Sequence, residues 1–129
     1  MELLVALFAG VMGAAMAGIW ARDIASGVGF DASQGLLRAR EIDTEDLMIW
    51  HWLAEFGTAG LLMVGALFLV VDVAVAEPVM LLGLGALAYT SSNSLGWSLA
   101  RPDRRSYVYP MAIGLIGAVI SATILILDL

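Results

Sequence analysis

One uninterrupted apolar stretch constrains this chain more than any other feature. It covers residues 47–71 and reads LMIWHWLAEFGTAGLLMVGALFLVV. An α-helix rises about 1.5 Å per residue, so roughly 20 apolar residues cross the hydrocarbon core of a bilayer. We therefore predict a membrane-spanning helix here. It holds the single histidine of the chain, His51, and an acid, Glu55, one helical turn later.

The composition extends this prediction to the whole chain. Hydrophobic residues make up 61% of the sequence, whereas soluble domains hold about 45–50% apolar residues. At 129 residues the chain is predicted to form a single integral membrane domain, 1–129. The absence of cysteine excludes disulfides, thiolate metal sites and cysteine nucleophiles. The net charge of -6 argues against nucleic acid as a partner, because a nucleic-acid backbone requires a basic surface.

The predicted fold class is all-α, an antiparallel four-helix transmembrane bundle. The four spans are predicted at residues 3–21, 45–71, 78–100 and 106–127. Short connections make consecutive helices antiparallel neighbours, and Pro78 suits the first turn of a helix, where its missing N–H costs nothing. Residues 22–46 are too polar for hydrocarbon and are predicted to form a loop. That loop is either solvated throughout or contains a short helix at 34–42 on the membrane surface.

The arginines predict the orientation of the bundle. All six lie in the loops 22–46 and 101–105, and the chain ends and the connector 72–77 have none. Because loops rich in Lys and Arg stay in the cytoplasm, both arginine-bearing loops are predicted to be cytoplasmic and both termini outside.

Small residues recur along one side of the first and fourth spans. They are Ala6, Gly10, Ala14 and Gly18, with Ala9, Gly13 and Ala17 beside them, and then Gly114, Gly117 and Ser121. Close van der Waals packing drives helix association in lipid, and small residues permit it. These faces are predicted to pack against a helix of the same chain, of a second copy or of a partner in a membrane complex. Apart from these possible helix partners and the lipid bilayer, no partner is predicted.

Polar residues of the second and third spans are predicted to meet in the cytoplasmic half of the bundle. Counted from the middle of each span, Glu55 and Asn93 both lie about 6 Å towards the cytoplasm, and His51 and Trp97 both lie about 12 Å. Pairing the face of Glu55 with the stripe that holds Tyr89 and Ser92 would build a polar pocket. The predicted ligand-binding residues are Glu55, His51, Asn93, Tyr89, Ser92 and Trp97.

Glu55 is the residue on which a function is expected to depend. An acid at membrane depth is costly, so it should face the bundle and either find partners or take up a proton. The alternative is a structural hydrogen bond to His51 or to the polar run at 89–94. A catalytic zinc site has three protein ligands, and one His with one Glu is too few. No metal is therefore predicted, and no cofactor is assigned.

Aromatic residues cluster near the predicted cytoplasmic rim. They are Trp20, Trp50, Trp52, Trp97, Tyr107 and Tyr109. Such residues commonly form a belt at the membrane–water interface, and that is the role predicted for them.

Three functions stay open at this stage. The first, which we favour, is binding of a small or lipidic ligand in the pocket around Glu55. The second is a proton-coupled small transporter subunit that uses Glu55, and the third is a structural accessory subunit of a membrane complex. No Gly-x-Ser-x-Gly or His-Glu-x-x-His motif occurs, so enzyme activity is neither predicted nor excluded.

The small size, the four predicted spans and the one intramembrane glutamate resemble the architecture of small multidrug resistance transporters. That family carries its essential acid in the first helix, whereas the first span here, 3–21, contains none. The resemblance therefore supports the transporter alternative through architecture alone and transfers no residue roles.

Overall fold

The computed structural model describes residues 1–25, 48–100 and 102–127, without the side chains of residues 23, 48–51, 103 and 104. In this part of the chain it contains four α-helices and one 3-10 helix. These are α1 (Glu2–Ala25), α2 (Met48–Val70), α3 (Ala76–Ala100), the 3-10 helix (Pro102–Tyr107) and α4 (Val108–Ile126). The described residues include no strand, which confirms the all-α class for them. Most of the predicted loop 22–46, with its surface helix at 34–42, lies outside the described residues.

The helix ends differ from the predicted ones by a few residues. α1 continues through Ala25, so the first four residues of the predicted loop 22–46 are helical instead. Two features favour this extension. Arg22 lies in the last turn, where the helix dipole favours a cation, and Ile24 packs against buried tryptophans. The 3-10 helix takes the first two residues of the span predicted at 106–127.

In the described part of the chain, three helices are long and apolar enough to cross a membrane. The qualifying segments are Glu2–Arg22, Trp52–Val70 and Arg105–Ile126. α3 has comparable length, but its second half carries the polar run at 89–94, and it is not among the three. Three apolar helices in so short a chain indicate a membrane protein.

Glycines bring α1, α2 and α3 into close contact. A Cβ added to Gly13 would lie 2.9 Å from the carbonyl oxygen of Ala59, and one added to Gly65 would lie 3.0 Å from the Cα of Met80. Towards the other end of α2, Trp20 and Ser94 both reach Glu55. Residue numbers thus fall along α2 as they rise along α1 and α3, so α2 runs antiparallel to both of its neighbours.

α4 closes the bundle against α3 and α1. A Cβ added to Gly114 would lie 2.7 Å from the Ser91 Oγ, and one added to Gly117 would collide with the ring of Phe8. The small residues of α4 therefore pack inside the chain, as do Gly10 and Gly13 of α1. Only part of the small-residue face of α1 points outwards, namely Ala14 and Gly18.

One repeating stripe of α3 faces the rest of the bundle. Its buried residues follow the alternating spacing of four and three that places side chains on one helix face, and they are Met80, Leu84, Leu87, Ser91, Ser94 and Ser98. The first half of the stripe is apolar and joins the main core with Leu62 and Val5. The second half consists of hydroxyls. The interior is thus apolar at one end and polar at the other.

The connector between α2 and α3 is a tight helix-ending turn. Asp72 has a φ of 56°, in the left-handed region, and the backbone N–H of Val73 donates to the carbonyl oxygen of Phe68 at 3.1 Å. This is the bond of a Schellman helix end, which satisfies a carbonyl that the last turn leaves without a helical partner. Glycine is the usual residue at the left-handed position, and aspartate tolerates it better than most.

Candidate functional site

Three helices meet at the carboxyl group of Glu55. The indole Nε1 of Trp20 on α1 donates to Oε2 at 3.2 Å, and the hydroxyl of Ser94 on α3 donates to Oε1 at 3.4 Å. The Glu55 side chain is 1% exposed. A buried carboxyl without donors would be strongly destabilising, so both bonds serve to hold the acid in the interior. Each oxygen thereby links α2 to a different helix.

Aromatic rings wall the site on the side of α1. Trp20 and Trp52 are both buried, and Ile24 and Phe56 pack against them. The prediction of an interfacial belt is therefore wrong for Trp20 and Trp52, because one hydrogen-bonds the buried acid and both fill the space beside it. Tyr109, by contrast, is exposed. The side chain of Trp50 lies outside the described residues.

Sequence reasoning missed Trp20 as a site residue. The signal that identifies it is its spacing from Gly13, since residues seven apart lie on the same face of a helix. Gly13 marks the face of α1 that packs most closely on α2, and Val5, Ala9 and Met16 on the same face are buried as well. A large amphipathic side chain on that face points into the bundle.

The α3 hydroxyls form a buried column beside Glu55. Ser91, Ser94 and Ser98 recur at intervals of three and four residues, and none is more than 6% exposed. Ser94 donates to Glu55, whereas the Ser98 Oγ is fully buried and has no hydrogen-bond partner within the described part of the chain. Ser98 is about one helical turn from Ser94 towards the end of α3, so its hydroxyl extends the polar site in that direction.

A second polar residue of α2, Thr58, is buried near Glu55. The two residues are three apart and share one buried face of the helix. The Thr58 hydroxyl donates to the carbonyl oxygen of Ala54, one turn earlier in the same helix, at 2.8 Å. Thr58 is therefore buried near the acid without bonding to it.

The predicted facing of α3 is wrong. Asn93 is exposed, Tyr89 is 73% exposed, and Ser92 is exposed with its hydroxyl donating to the carbonyl oxygen of Ala88. The physical reason is the apolar first half of α3, where Met80, Leu84 and Leu87 must face the core. Continuing that stripe at the same period brings Ser94 towards α2 and turns Asn93 outwards.

The predicted register of α3 against α2 differs from the observed one by a single residue. Asn93 was expected opposite Glu55, and the residue that bonds to Glu55 is its neighbour, Ser94. One residue changes the level by only 1.5 Å but rotates the side chain by about 100° around the helix. The rise per residue thus identified the correct turn of α3, but the residue chosen on that turn, Asn93, points away from Glu55.

Two predicted site residues remain, His51 and Trp97. His51 is in the first turn of α2, and its side chain lies outside the described residues. Trp97 is half-buried on α3, one residue before Ser98. Among the described residues, no group of three His, Asp, Glu or Cys side chains is placed to hold a metal ion.

Searches for similar proteins gave no match to any protein-family model, curated protein or solved structure.

Proposed function

We propose that this protein is a four-span integral membrane protein that binds a small or lipidic ligand at the site of Glu55, Ser94 and Ser98. The site lies in the cytoplasmic half of the bundle, with both termini outside and the arginine-bearing loops 22–46 and 101–105 in the cytoplasm. The arginine distribution supports this orientation, because all six fall on one side. The accessory-subunit alternative has less support, because most of the small-residue faces are occupied within the chain.

The packing of α3 against its neighbours supports the proposal that α3 is a fourth membrane span. α3 contacts α2 from Met80 to Ser94 and contacts α4 at Ser91, so it runs beside two helices that are apolar enough to cross a membrane. A helix packed along most of the length of two spanning helices shares their depth. Its hydroxyls are tolerated there because most of them face the bundle or bond to their own helix.

The burial of the Ser98 hydroxyl is the observation that supports this proposal most strongly. A buried hydroxyl without a partner costs about 1–3 kcal/mol, and native proteins rarely leave one unsatisfied. Ser98 is fully buried and orphaned within the described residues, and it lies one turn from the serine that bonds to Glu55. A bound molecule that pairs with Ser98 and reaches the carboxyl group would remove this cost.

The surroundings define the chemistry of that molecule. It needs a hydrogen-bond donor for the carboxyl of Glu55 and a donor or acceptor for the hydroxyl of Ser98. The rings of Trp20 and Trp52 offer an apolar wall for a flat or aliphatic part. A lipid headgroup with hydroxyl or amine groups fits this description, and so does a free small alcohol or amine.

The test is to identify what copurifies with the protein. Wild type, Ser98→Ala and Ser92→Ala are purified in mild detergent, and bound lipids and small molecules are extracted and measured by mass spectrometry. Ser92→Ala is the matched control, because it removes the same group from the opposite face of α3. We expect one compound in stoichiometric amount with wild type and Ser92→Ala, and about tenfold less with Ser98→Ala. Equal retention by all three, or no bound compound in any, would contradict the proposal.

The hydroxyl column also favours a second candidate, a proton-coupled carrier. Ser94 and Ser98 lead from Glu55 towards the end of α3 that borders the arginine-bearing segment. Hydroxyl groups can pass protons along such a path to a buried carboxyl. Glu55→Gln in liposomes that contain a pH-sensitive dye tests this candidate. Proton flux equal to that of wild type would reject it, whereas loss of flux with normal assembly supports it.

A further inference from the structure

One face of α3 is polar and points away from the bundle. We call Tyr89, Ser92 and Asn93 the outer polar patch. All three are exposed, Tyr89 to 73%. The patch lies beside Ser94, which bonds to Glu55, and Glu55 belongs to the apolar segment Trp52–Val70. The outer polar patch is therefore level with a segment that is able to cross a membrane.

Hydrocarbon chains cannot satisfy this patch. Ser92 donates to a carbonyl of its own helix at 2.8 Å and needs no outside partner. The carboxamide of Asn93 and the hydroxyl of Tyr89 point away from the rest of the described chain, and lipid tails offer neither donors nor acceptors. Polar side chains within membranes face protein or water-filled cavities, so this face needs a protein cover.

The other outward faces are different in character. Apart from Tyr109 in the first turn of α4, the large exposed hydrophobic side chains of α1 and α4 are aliphatic and suit lipid, and they include Leu3, Leu7, Val11, Ile113, Ile116 and Ile120. Thr123 of α4 is exposed as well, but its hydroxyl donates to the carbonyl oxygen of Val119 at 2.8 Å and needs no outside partner. In the middle of the bundle, the exposed polar side chains of the described residues that make no such bond are Tyr89 and Asn93 of α3. Their position on one helix points to a specific contact of α3.

We propose that a second copy of this chain covers the outer polar patch, in a two-fold dimer with α3 against α3. This inference rests on the membrane placement of α3 proposed above. Two copies inserted in the same orientation place Asn93 at the same depth in each. A carboxamide both donates and accepts, so Asn93 is complementary to itself across a two-fold axis. Asparagine pairs of this kind associate helices in membranes.

The backbone of α3 leaves room for this approach. A Cβ added to Gly85 or to Gly96 would meet no atom of the described residues within 4 Å, so packing within this part of the chain requires neither glycine. Both lie on the same stripe as Tyr89 and flank the outer polar patch along the helix. A second α3 therefore meets no side chain at these two positions.

The absence of cysteine makes the test direct. Single cysteines are introduced as Tyr89→Cys and Gly96→Cys on α3, which leave Asn93 in place, with the exposed positions Ile116→Cys on α4 and Leu7→Cys on α1 as controls. Each protein is oxidised in native membranes, and covalent dimers are quantified. A disulfide requires Cβ atoms about 3.5–4.5 Å apart. We expect most of the protein to form covalent dimers in each of the two α3 variants and to remain largely monomeric in the two controls. Equal cross-linking at all four positions, or none at α3, would overturn the proposal.

A second measurement tests the role of the amide itself. Self-association of labelled protein in lipid vesicles is measured by energy transfer for wild type, Asn93→Leu and Asn93→Gln. We expect Asn93→Leu to weaken association about tenfold and Asn93→Gln, which keeps an amide, to restore most of it. Unchanged association in Asn93→Leu would overturn the pairing. Because Asn93 faces away from Ser98, ligand retention by Asn93→Leu reports on the proposed function separately.

Discussion

The indole Nε1 of Trp20 lies 3.2 Å from the Oε2 of Glu55 and joins α1 to α2 across 35 positions of sequence. The two residues are near the end of α1 and near the start of α2, on the two sides of the segment between these helices. Their bond holds a buried acid and at the same time fixes the spacing of two helices. Changes to either residue should therefore affect both the site and the assembly of the bundle.

The first prediction concerns this bond. Trp20→Phe keeps an aromatic ring but removes the N–H that Glu55 accepts. We expect the free energy of unfolding to fall by about 1–2 kcal/mol, from the lost bond and the smaller ring. Thermal unfolding in mild detergent measures this. Tyr109→Phe, which removes a polar atom from an exposed ring, serves as the control and should leave the melting temperature unchanged. Equal effects of the two variants would contradict the bond.

The two faces of α3 give a second prediction. Ser94 donates to Glu55, whereas Ser92 donates to the carbonyl of Ala88 and faces outwards. Ser94→Ala should lower the unfolding free energy by about 0.6–1 kcal/mol, a typical value for a hydrogen bond between membrane helices. Ser92→Ala should leave it nearly unchanged, because such a bond to the own helix adds little. Unfolding in mixed micelles distinguishes the pair, and a larger loss from Ser92→Ala would reverse the assignment of the faces.

Glycine packing gives a third prediction. A Cβ at position 13 would lie 2.9 Å from the Ala59 oxygen, whereas one at position 18 would lie within 4 Å of no atom that the structure describes. Gly13→Ala should therefore destabilise the protein by about 1–3 kcal/mol through forced separation of α1 and α2. Gly18→Ala should be neutral or stabilising by up to about 1 kcal/mol, since alanine favours the helix. If both substitutions stabilise, the close contact of α1 with α2 is wrong.

The turn at Asp72 supplies a fourth prediction. Its φ of 56° is strained for any residue with a Cβ. Asp72→Gly should raise the unfolding free energy by about 0.5–1 kcal/mol, because glycine adopts this conformation without strain. Asp72→Ala should instead lower it, since alanine keeps the strain and lacks the short polar side chain that makes this conformation more tolerable for aspartate. Thermal melts of the two variants in the same detergent decide the point; a shift in the same direction for both would rule out the left-handed turn.

Hydropathy was sufficient to predict most of the helices, but it could not predict which way α3 faces. A run of six polar residues points in every direction around a helix, so the run itself contains no information about the buried side. That information lies in the apolar half, where Met80, Leu84 and Leu87 repeat at the spacing that Ser91 and Ser94 continue. Following the apolar stripe of α3 into its polar half would have identified Ser94, and not Asn93, as the residue that faces Glu55.

Trp20 was harder to place, because tryptophan near a helix end has two common positions. It lies in the interface when it faces lipid, and it hydrogen-bonds internally when it faces a buried acceptor. Sequence alone favoured the first, since the acceptor belongs to another helix. Only the packing of Gly13 against Ala59, which fixes the rotation of α1, turns Trp20 towards Glu55.

The central claim is that a bound molecule completes the site of Glu55, Ser94 and Ser98. An experimental electron-density map from crystals grown in a lipidic phase tests it most directly, because such crystals retain native lipids and small ligands. We predict density that belongs to neither protein nor a lone water, within hydrogen-bond distance of the Ser98 Oγ and extending towards Glu55. A Ser98 hydroxyl bonded only to its own helix or to protein side chains, with no additional density beside it, would contradict the account.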